Sequence, residues 1–207
     1  MTGRKIVHDP PVQRGPWLVH GEETVFENPW LALKRYPVTQ PNTHAPGEYG
    51  VVHFKNVAVG VLPLDEDGHT YLVGQHRFAF DAYSWELPEG GGRLDTLPED
   101  TARREMEEET GLVPSALMPL GSWQTSNSVT DERAVAFIAT GLKAGQTAPD
   151  PSEVLALRRL KFADLLALVM QGEIADAFTV LMVQTAVLKA QAGLLPAEIS
   201  RHLLTQD

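Results

Sequence analysis

The sequence predicts an α/β fold with a small N-terminal antiparallel β-domain, and three observations carry that expectation. Short alternating strands without helices fill residues 22–55, strands and helices interleave from residue 56 onward, and a glycine-rich turn leads into an acid-crowded helix at Trp85–Leu112. The 207 residues suit one domain of ordinary size with a smaller appendage, and 43% hydrophobic with 21% charged residues is enough for a proper core. The chain has no cysteine, which excludes disulfides, thiolate zinc sites and a cysteine nucleophile. That composition suits a reducing cytoplasm. No apolar run approaches the ~18 residues of a membrane span, and the start MTGRKIVHDPPVQRGPW has no apolar h-region, so a cytoplasmic protein is expected. With 27 acids against 17 bases the net charge is -10, which argues against nucleic acid as a partner. An anionic substrate would need local help from arginine and metal.

Residues 1–21 carry Pro10, Pro11 and Pro16 and read as an N-terminal arm. From Glu22 the chain alternates through Thr24–Phe26, Trp30–Tyr36 and Tyr49–Phe54, broken by Asn28-Pro29 and the turn-rich Pro37–Gly47. Three strands make too small a sheet to be stable alone, so a second copy of the chain is the expected cover and a homodimer the expected state. At Val57 the composition changes. Val57–Leu64 reads as a buried strand, Asp65–Gly68 as a hairpin turn and Thr70–Gln75 as its partner. Beyond the acidic helix, Ala116–Trp123, Ala134–Thr140 and Val154–Leu160 read as strands. Two apolar helices follow, Ala163–Met170 and Ala175–Ala190, and Pro196–Leu204 forms a short last one.

The acidic helix runs Arg104-Glu105-Met106-Glu107-Glu108-Glu109-Thr110-Gly111-Leu112. At roughly 100° per residue, Glu105, Glu108 and Glu109 share one face while Glu107 points elsewhere, and Ala102, Met106 and Val113 form an adjoining apolar stripe. Like charges at i, i+3 and i+4 cost a helix a few tenths of a kcal/mol per pair. A hard divalent cation, Mg²⁺ first, is the natural compensator, since it takes carboxylates together with substrate phosphates. An isolated glutamate run is more often a solvated face; here the flanks decide. Gly111 sits where a C-cap glycine belongs. Thr96-Leu97-Pro98-Glu99 has the form of a capping box, with Thr96 starting the helix.

With Gly90 placed before Arg104, the stretch resembles the Nudix box, G-x5-E-x7-R-E-U-x-E-E-x-G-U, where U is a bulky aliphatic residue. Gly90, Arg104, Glu105, Met106, Glu108, Glu109, Gly111 and Leu112 match in register, and Thr96 replaces the first Glu. The resemblance implies the Nudix fold, a mixed sheet sandwiched between helices, in a hydrolase domain over residues 56–207. It implies metal binding by Glu105, Glu108 and Glu109, joined by the backbone carbonyl of Glu89. The missing Glu normally braces the box through its Arg, so Arg104 must find Asp95, Glu99 or a glutamate of the helix.

More of the chain resembles the ADP-ribose pyrophosphatase, or nucleoside diphosphate sugar hydrolase, branch. Residues 22–55 are similar to its dimer-forming N-terminal sheet. Gln75-His76-Arg77-Phe78 looks like the segment whose Arg reaches the substrate diphosphate; taken alone, Arg77 would read as a surface ion pair, but its planar fork of donors suits phosphate oxygens. Glu132 matches the acid closing a serine-rich loop, near the distal sugar, and reads equally well as a surface residue. Counting back from Leu160, Glu153 matches a loop glutamate that completes the active site. Trp30, Tyr36 and Phe80 are candidates to stack a base, although such aromatics are more often simple core; Trp30 is the choice for substrate.

The implied chemistry is Mg²⁺-dependent attack of water on a diphosphate, with Mn²⁺ as an alternative ion and Glu153 or Glu109 accepting the proton. ADP-ribose giving AMP and ribose 5-phosphate is the expected reaction. A nucleotide hexose, a dinucleotide polyphosphate, or binding without cleavage in a nucleotide sensor are the alternatives.

Overall fold

The computed structural model describes residues 5–148 and 154–205. They fall into two compact units, Met1–Asn56 with Gln124–Glu132, and Val57–Trp123 with Arg133–Asp207.

The first unit is a four-stranded antiparallel meander in the order β1-β2-β3-β4, formed by β1 (Lys5–Arg14), β2 (Trp17–Glu27), β3 (Leu31–Thr39) and β4 (Pro46–Phe54). Strand β1 lies where the sequence suggests an arm. Its prolines fall in the interval between Val7 and Val12 where the ladder to β2 shifts register. An edge strand tolerates proline at such a break because one side of its backbone needs no partner. Between β2 and β3 the Asn28 side chain accepts hydrogen bonds from the Trp30 and Leu31 N–H groups, at 2.9 and 2.8 Å, and fixes the reversal. Val19, Tyr36 and Val38 are buried on one face, with Trp17 and Val51 packed against them.

The second unit is centred on β5 (Asn56–Pro63) and β10 (Arg133–Ala144), which run parallel from Ala58↔Ala134 to Pro63↔Ala139 in a sheet of order β8-β5-β10-β9. The outer strands are β8 (Glu89–Arg93) and β9 (Leu112–Gln124). Because side chains alternate across a strand, each central strand feeds two cores. Val59, Val61, Phe137 and Ala139 pack with Ala102 and Met106 of helix α1 (Pro98–Thr110). Leu62, Ala134, Ala136 and Ile138 join the larger cluster with α2 (Phe162–Gln171), α3 (Ala177–Gln191) and α4 (Ala197–Leu204). This is the sheet between helices that the sequence predicts, and burial on both faces explains why Val57–Leu64 is an unbroken apolar run. Val113 is not part of the helix stripe, since Gly111 ends α1 in the left-handed region, φ 69°, and Val113 lies in β9.

The expected hairpin of Val57–Leu64 with Thr70–Gln75 does not form. The turn is present, with the Gly68 N–H donating to the Asp65 carbonyl at 3.0 Å. Strand β6 (His69–Arg77), however, pairs with β11 (Ala156–Lys161) and β7 (Ala82–Glu86) in a separate antiparallel sheet of order β11-β6-β7. Turn residues fix a reversal of the chain but not which strands pair, and both edges of β5 are taken by β8 and β10. Among the described residues no helix is long and apolar enough to cross a membrane.

Helix α3 lies so close over β5 that a Cβ on Gly60 would stand 2.8 Å from Met182 Sδ and from Phe178 Cε1. Gly60→Val is therefore expected to overpack this contact and cost about 1–3 kcal/mol. A urea denaturation midpoint equal to that of the wild type would contradict it.

Candidate active site

The site is built where β7 ends and the chain turns through Leu87-Pro88 into β8 and then α1. Three backbone contacts pin this turn. The Leu87 N–H donates to the buried Thr179 hydroxyl of α3 at 2.9 Å, the Pro88 carbonyl accepts from the Val61 N–H of β5 at 2.9 Å, and the Glu89 N–H donates to Glu109 Oε2 at 3.1 Å. The glycines allow α1 to lie against β8. A Cβ on Gly90 would collide with the Glu105 carboxylate, and one on Gly92 would stand 2.7 Å from Thr101 Oγ1. A side chain at Gly90 would displace the Glu105 carboxylate, and one at Gly92 would crowd Thr101 of α1.

Thr96 does not cap the helix. The N-cap is Leu97, extended at φ -69° and ψ 134° with no side-chain cap, while the Thr96 hydroxyl donates to the Arg93 carbonyl at 2.9 Å. Pro98 at the first helical position forces the preceding residue out of helical geometry, so the boundary falls one residue later than a capping box requires. Asp95 is engaged by Arg93, at 2.7 Å. Arg104 is braced by the helix's own acids instead, donating to Glu105 Oε1 at 2.6 Å and Glu108 Oε2 at 2.7 Å, and to the Gly91 carbonyl at 3.3 Å.

Glu105, Glu108 and Glu109 share the face turned toward β8, and Glu107 leaves it, accepting from the Gln146 N–H at 3.4 Å. Glu109 is buried, and the Glu105 and Glu108 side chains are 12% and 34% exposed. Beside them stands the Glu89 side chain, whose Oε1 lies 3.4 Å from Arg77 Nη2 and whose Oε2 is buried without a hydrogen-bond partner among the described residues. Burial, reinforced by Asp176 and Glu86 and only partly offset by Arg77, raises the Glu89 pKa well above the ordinary carboxylate value. Arg77, at the end of β6, is held by Glu86, with Nε donating to both carboxylate oxygens at 2.9 and 3.1 Å and Nη2 pairing with Oε2. Six acids thus gather around two arginines.

This donor set fits a hard divalent cation: oxygen ligands only, a surplus of negative charge, and a buried carboxylate oxygen without a partner. Glu105, Glu108, Glu109 and Glu89 are the residues that would hold it. A second acid cluster, Asp65, Asp67 and His69, has its ligand atoms within 4.8 Å of one another, but Arg159 Nη2 lies 2.6 Å from Asp65 Oδ2, so a guanidinium already serves as its cation.

Of the residues expected from sequence, the second unit brings together Arg77, Glu89, Glu105, Glu108 and Glu109. Trp30 and Glu132 belong to the first unit, where Trp30 is 64% exposed and Glu132 Oε2 accepts from the Thr125 hydroxyl at 2.5 Å. Glu153 lies outside the described residues. Glu86 and Asp176 are not identified by the sequence. Glu86 occupies a buried strand position, and its link to Arg77 depends on the β6–β7 register, Val73↔Glu86 and Arg77↔Ala82, which sets both residues on one face of the ladder. Asp176 is visible in sequence only as a helix cap, and it does cap α3, accepting from the Thr179 N–H at 2.6 Å.

Residues 54–181, more than half of the chain, match the family model described as NUDIX domain. The chain belongs to the NUDIX domain family. It is 30% identical over 163 residues to the ADP-ribose pyrophosphatase of Mycobacterium tuberculosis (strain ATCC 25618 / H37Rv), covering 76% of this chain and 77% of that one. It is 31% identical over 170 residues to the ADP-ribose pyrophosphatase of Bacillus subtilis (strain 168), covering 81% of this chain and 91% of the relative. Among solved structures, an ADP compounds hydrolase superposes with a TM-score of 0.73 over 86% of this chain and 96% of its own, at 18% identity, which shows the shared fold. Membership of this family makes the chain a hydrolase of the pyrophosphatase type.

The NUDIX helix start gives a direct test. Leu97→Ser supplies an oxygen to the Glu99 or Asp100 N–H and should add about 1 kcal/mol of stability, whereas Thr96→Ala at an exposed bond should stay within about 0.5 kcal/mol of wild type. Chemical denaturation of the two variants checks this; the reverse order of effects would place the cap at Thr96.

Proposed function

We propose that the chain hydrolyses the diphosphate bond of a nucleoside diphosphate sugar, with ADP-ribose giving AMP and ribose 5-phosphate, and that Mg²⁺, or Mn²⁺ in its place, is required. The observation that carries this reading is the gathering of Glu89, Glu105, Glu108 and Glu109 around one glycine turn, beside Arg77 and with one Glu89 oxygen that has no hydrogen-bond partner among the described residues. The two ADP-ribose pyrophosphatases among its relatives support the choice of substrate.

A divalent cation bound there supplies charge neutralisation for the diphosphate and lowers the pKa of water. The chain's own residues do the rest. Glu105, Glu108 and Glu109 hold their carboxylates on one helical face, and the Glu89 N–H fixes Glu109 by donating to Oε2 at 3.1 Å. Arg77 presents guanidinium donors to phosphate oxygens. A proton acceptor must stand within hydrogen-bond reach of the attacking water; Glu109 and Glu153 are the candidates. Trp30 and Glu132 are assigned to the base and the distal sugar. In the same reading residues 22–55 are a dimer-forming β-domain, residues 56–207 the hydrolase domain, the active form a homodimer, and the setting the cytoplasm. The net charge of -10 fits a small-molecule nucleotide substrate and no nucleic acid.

The decisive experiment incubates the protein with ADP-ribose and Mg²⁺ and separates the products. AMP with ribose 5-phosphate is the expected pair, and tight binding of intact ADP-ribose would favour a sensor instead. Glu108→Gln and Glu109→Gln should each abolish turnover while leaving the fold intact, since removing one of several like charges relieves repulsion. A near wild-type rate in either variant would sink the metal reading of this face. Mg²⁺ should also raise the melting temperature of the wild type, as any ligand of the native state does, and Glu109→Gln should lose most of that rise. Glu153→Gln should lower kcat by ~10² or more, with Asp150→Asn close to wild type; the opposite ranking would move the acceptor away from Glu153.

A further inference from the structure

Arg77 and Glu86 form the most completely satisfied ion pair of the site. The Glu86 side chain is 5% exposed and that of Arg77 39% exposed, so the carboxylate is the fixed partner and the guanidinium the half-open one. Glu86 takes the Nε–H at 2.9 and 3.1 Å and pairs with Nη2, and Glu89 Oε1 stands 3.4 Å from the same Nη2. Among the described residues Nη1 donates to nothing. A guanidinium is planar, so gripping its Nε–Nη2 edge fixes the direction of Nη1 as well.

We propose that Glu86 is a positioning residue, which clamps the inner edge of Arg77 so that the Nη1 edge is held in place for the substrate diphosphate before substrate arrives. The inference rests on the function proposed above. Glu86 touches neither substrate nor metal in this scheme; it acts through Arg77. Its effect is orientation and not attraction, because pairing the arginine with a carboxylate reduces the net positive charge offered to a diphosphate. Orientation set in advance spares the enzyme from ordering a long, flexible side chain at each turnover.

The two roles predict opposite signs. Glu86→Gln keeps the shape of the side chain but turns one acceptor into a donor facing the guanidinium. If Glu86 positions Arg77, kcat/KM for ADP-ribose at saturating Mg²⁺ falls on the order of 10-fold to 100-fold, while the Mg²⁺ midpoint stays at the wild-type value. In an Arg77→Ala background the same substitution changes kcat/KM by less than about twofold, because residues that act through one another do not add. Glu86→Asp, which keeps the charge and withdraws it by one methylene, gives an intermediate loss and serves if the amide variant folds poorly. An unchanged kcat/KM, a lowered KM with kcat intact, or a full loss repeated in the Arg77→Ala background would each overturn the proposal.

Calorimetric binding of inorganic pyrophosphate with Mg²⁺ gives a readout independent of turnover. The wild type binds it, and Glu86→Gln weakens it about tenfold only when Arg77 is present. Should ADP-ribose prove not to be hydrolysed, this arm still decides the role of Glu86, and a wild type that fails to bind pyrophosphate counts against it.

Discussion

Mutual repulsion among carboxylates is the constraint on which the second unit of this molecule turns. Glu86, Glu89, Glu105, Glu108, Glu109 and Asp176 are drawn together around Arg77 and Arg104, and Glu89 responds with a carboxyl pKa raised first by burial and then by its acidic neighbours. A packed domain does not collect charge in this way without a counter-charge for some part of its working cycle. Arg104 bridges Glu105 and Glu108, and Arg77 is fastened to Glu86 and reaches Glu89 Oε1 at 3.4 Å. The Glu89 N–H in turn donates to Glu109 Oε2, which ties the glycine turn to the helix.

The scaffold makes that concentration of charge sustainable. Helix α1 carries its acids on one face and Ala102 and Met106 on the next, and the apolar face is locked onto Val59, Val61, Phe137 and Ala139. Full burial of aliphatic side chains of this size contributes about 1.5–3 kcal/mol each, against a few tenths for each like-charge pair on the helix. The packing therefore outweighs the repulsion. From the opposite face of the sheet, α3 reaches the turn itself through Thr179 and sets Asp176 at its own N-terminus. The glycine turn is held from both sides of the sheet, which is how a loop keeps carboxylates in fixed relative positions.

The first unit answers to a different constraint. Its meander gathers Val19, Tyr36 and Val38 into a small cluster with a fringe of partly buried neighbours, and it leaves Val7, Val25, Phe26 and Trp30 more than half exposed. The segment Gln124–Glu132 is tied to β4 by Tyr49, whose hydroxyl donates to the Ser128 carbonyl at 2.7 Å, and by Asp131, which accepts from the Phe54 N–H at 2.9 Å. The chain thus returns to this sheet from far along its length, a pairing that local propensity cannot reveal.

The sequence by itself determined many of the elements and the face that the acids of α1 share. Period-2 alternation marked the strands, Gly111 marked the end of α1, and the spacing of Glu105, Glu108 and Glu109 placed three carboxylates on one face, because these properties depend on residues within one or two helical turns. The tertiary structure decided what depends on distant partners. It put β1 on the sheet edge despite Pro10 and Pro11, and it sent β5 and β6 into different sheets although a sound turn joins them. It moved the helix start from Thr96 to Leu97, where Pro98 dictates the backbone. Above all it paired Arg77 with Glu86 and brought Asp176 toward Glu89. A buried glutamate in a strand looks, in sequence, like an error in the alternation; only the register of β6 against β7 shows that its charge is met.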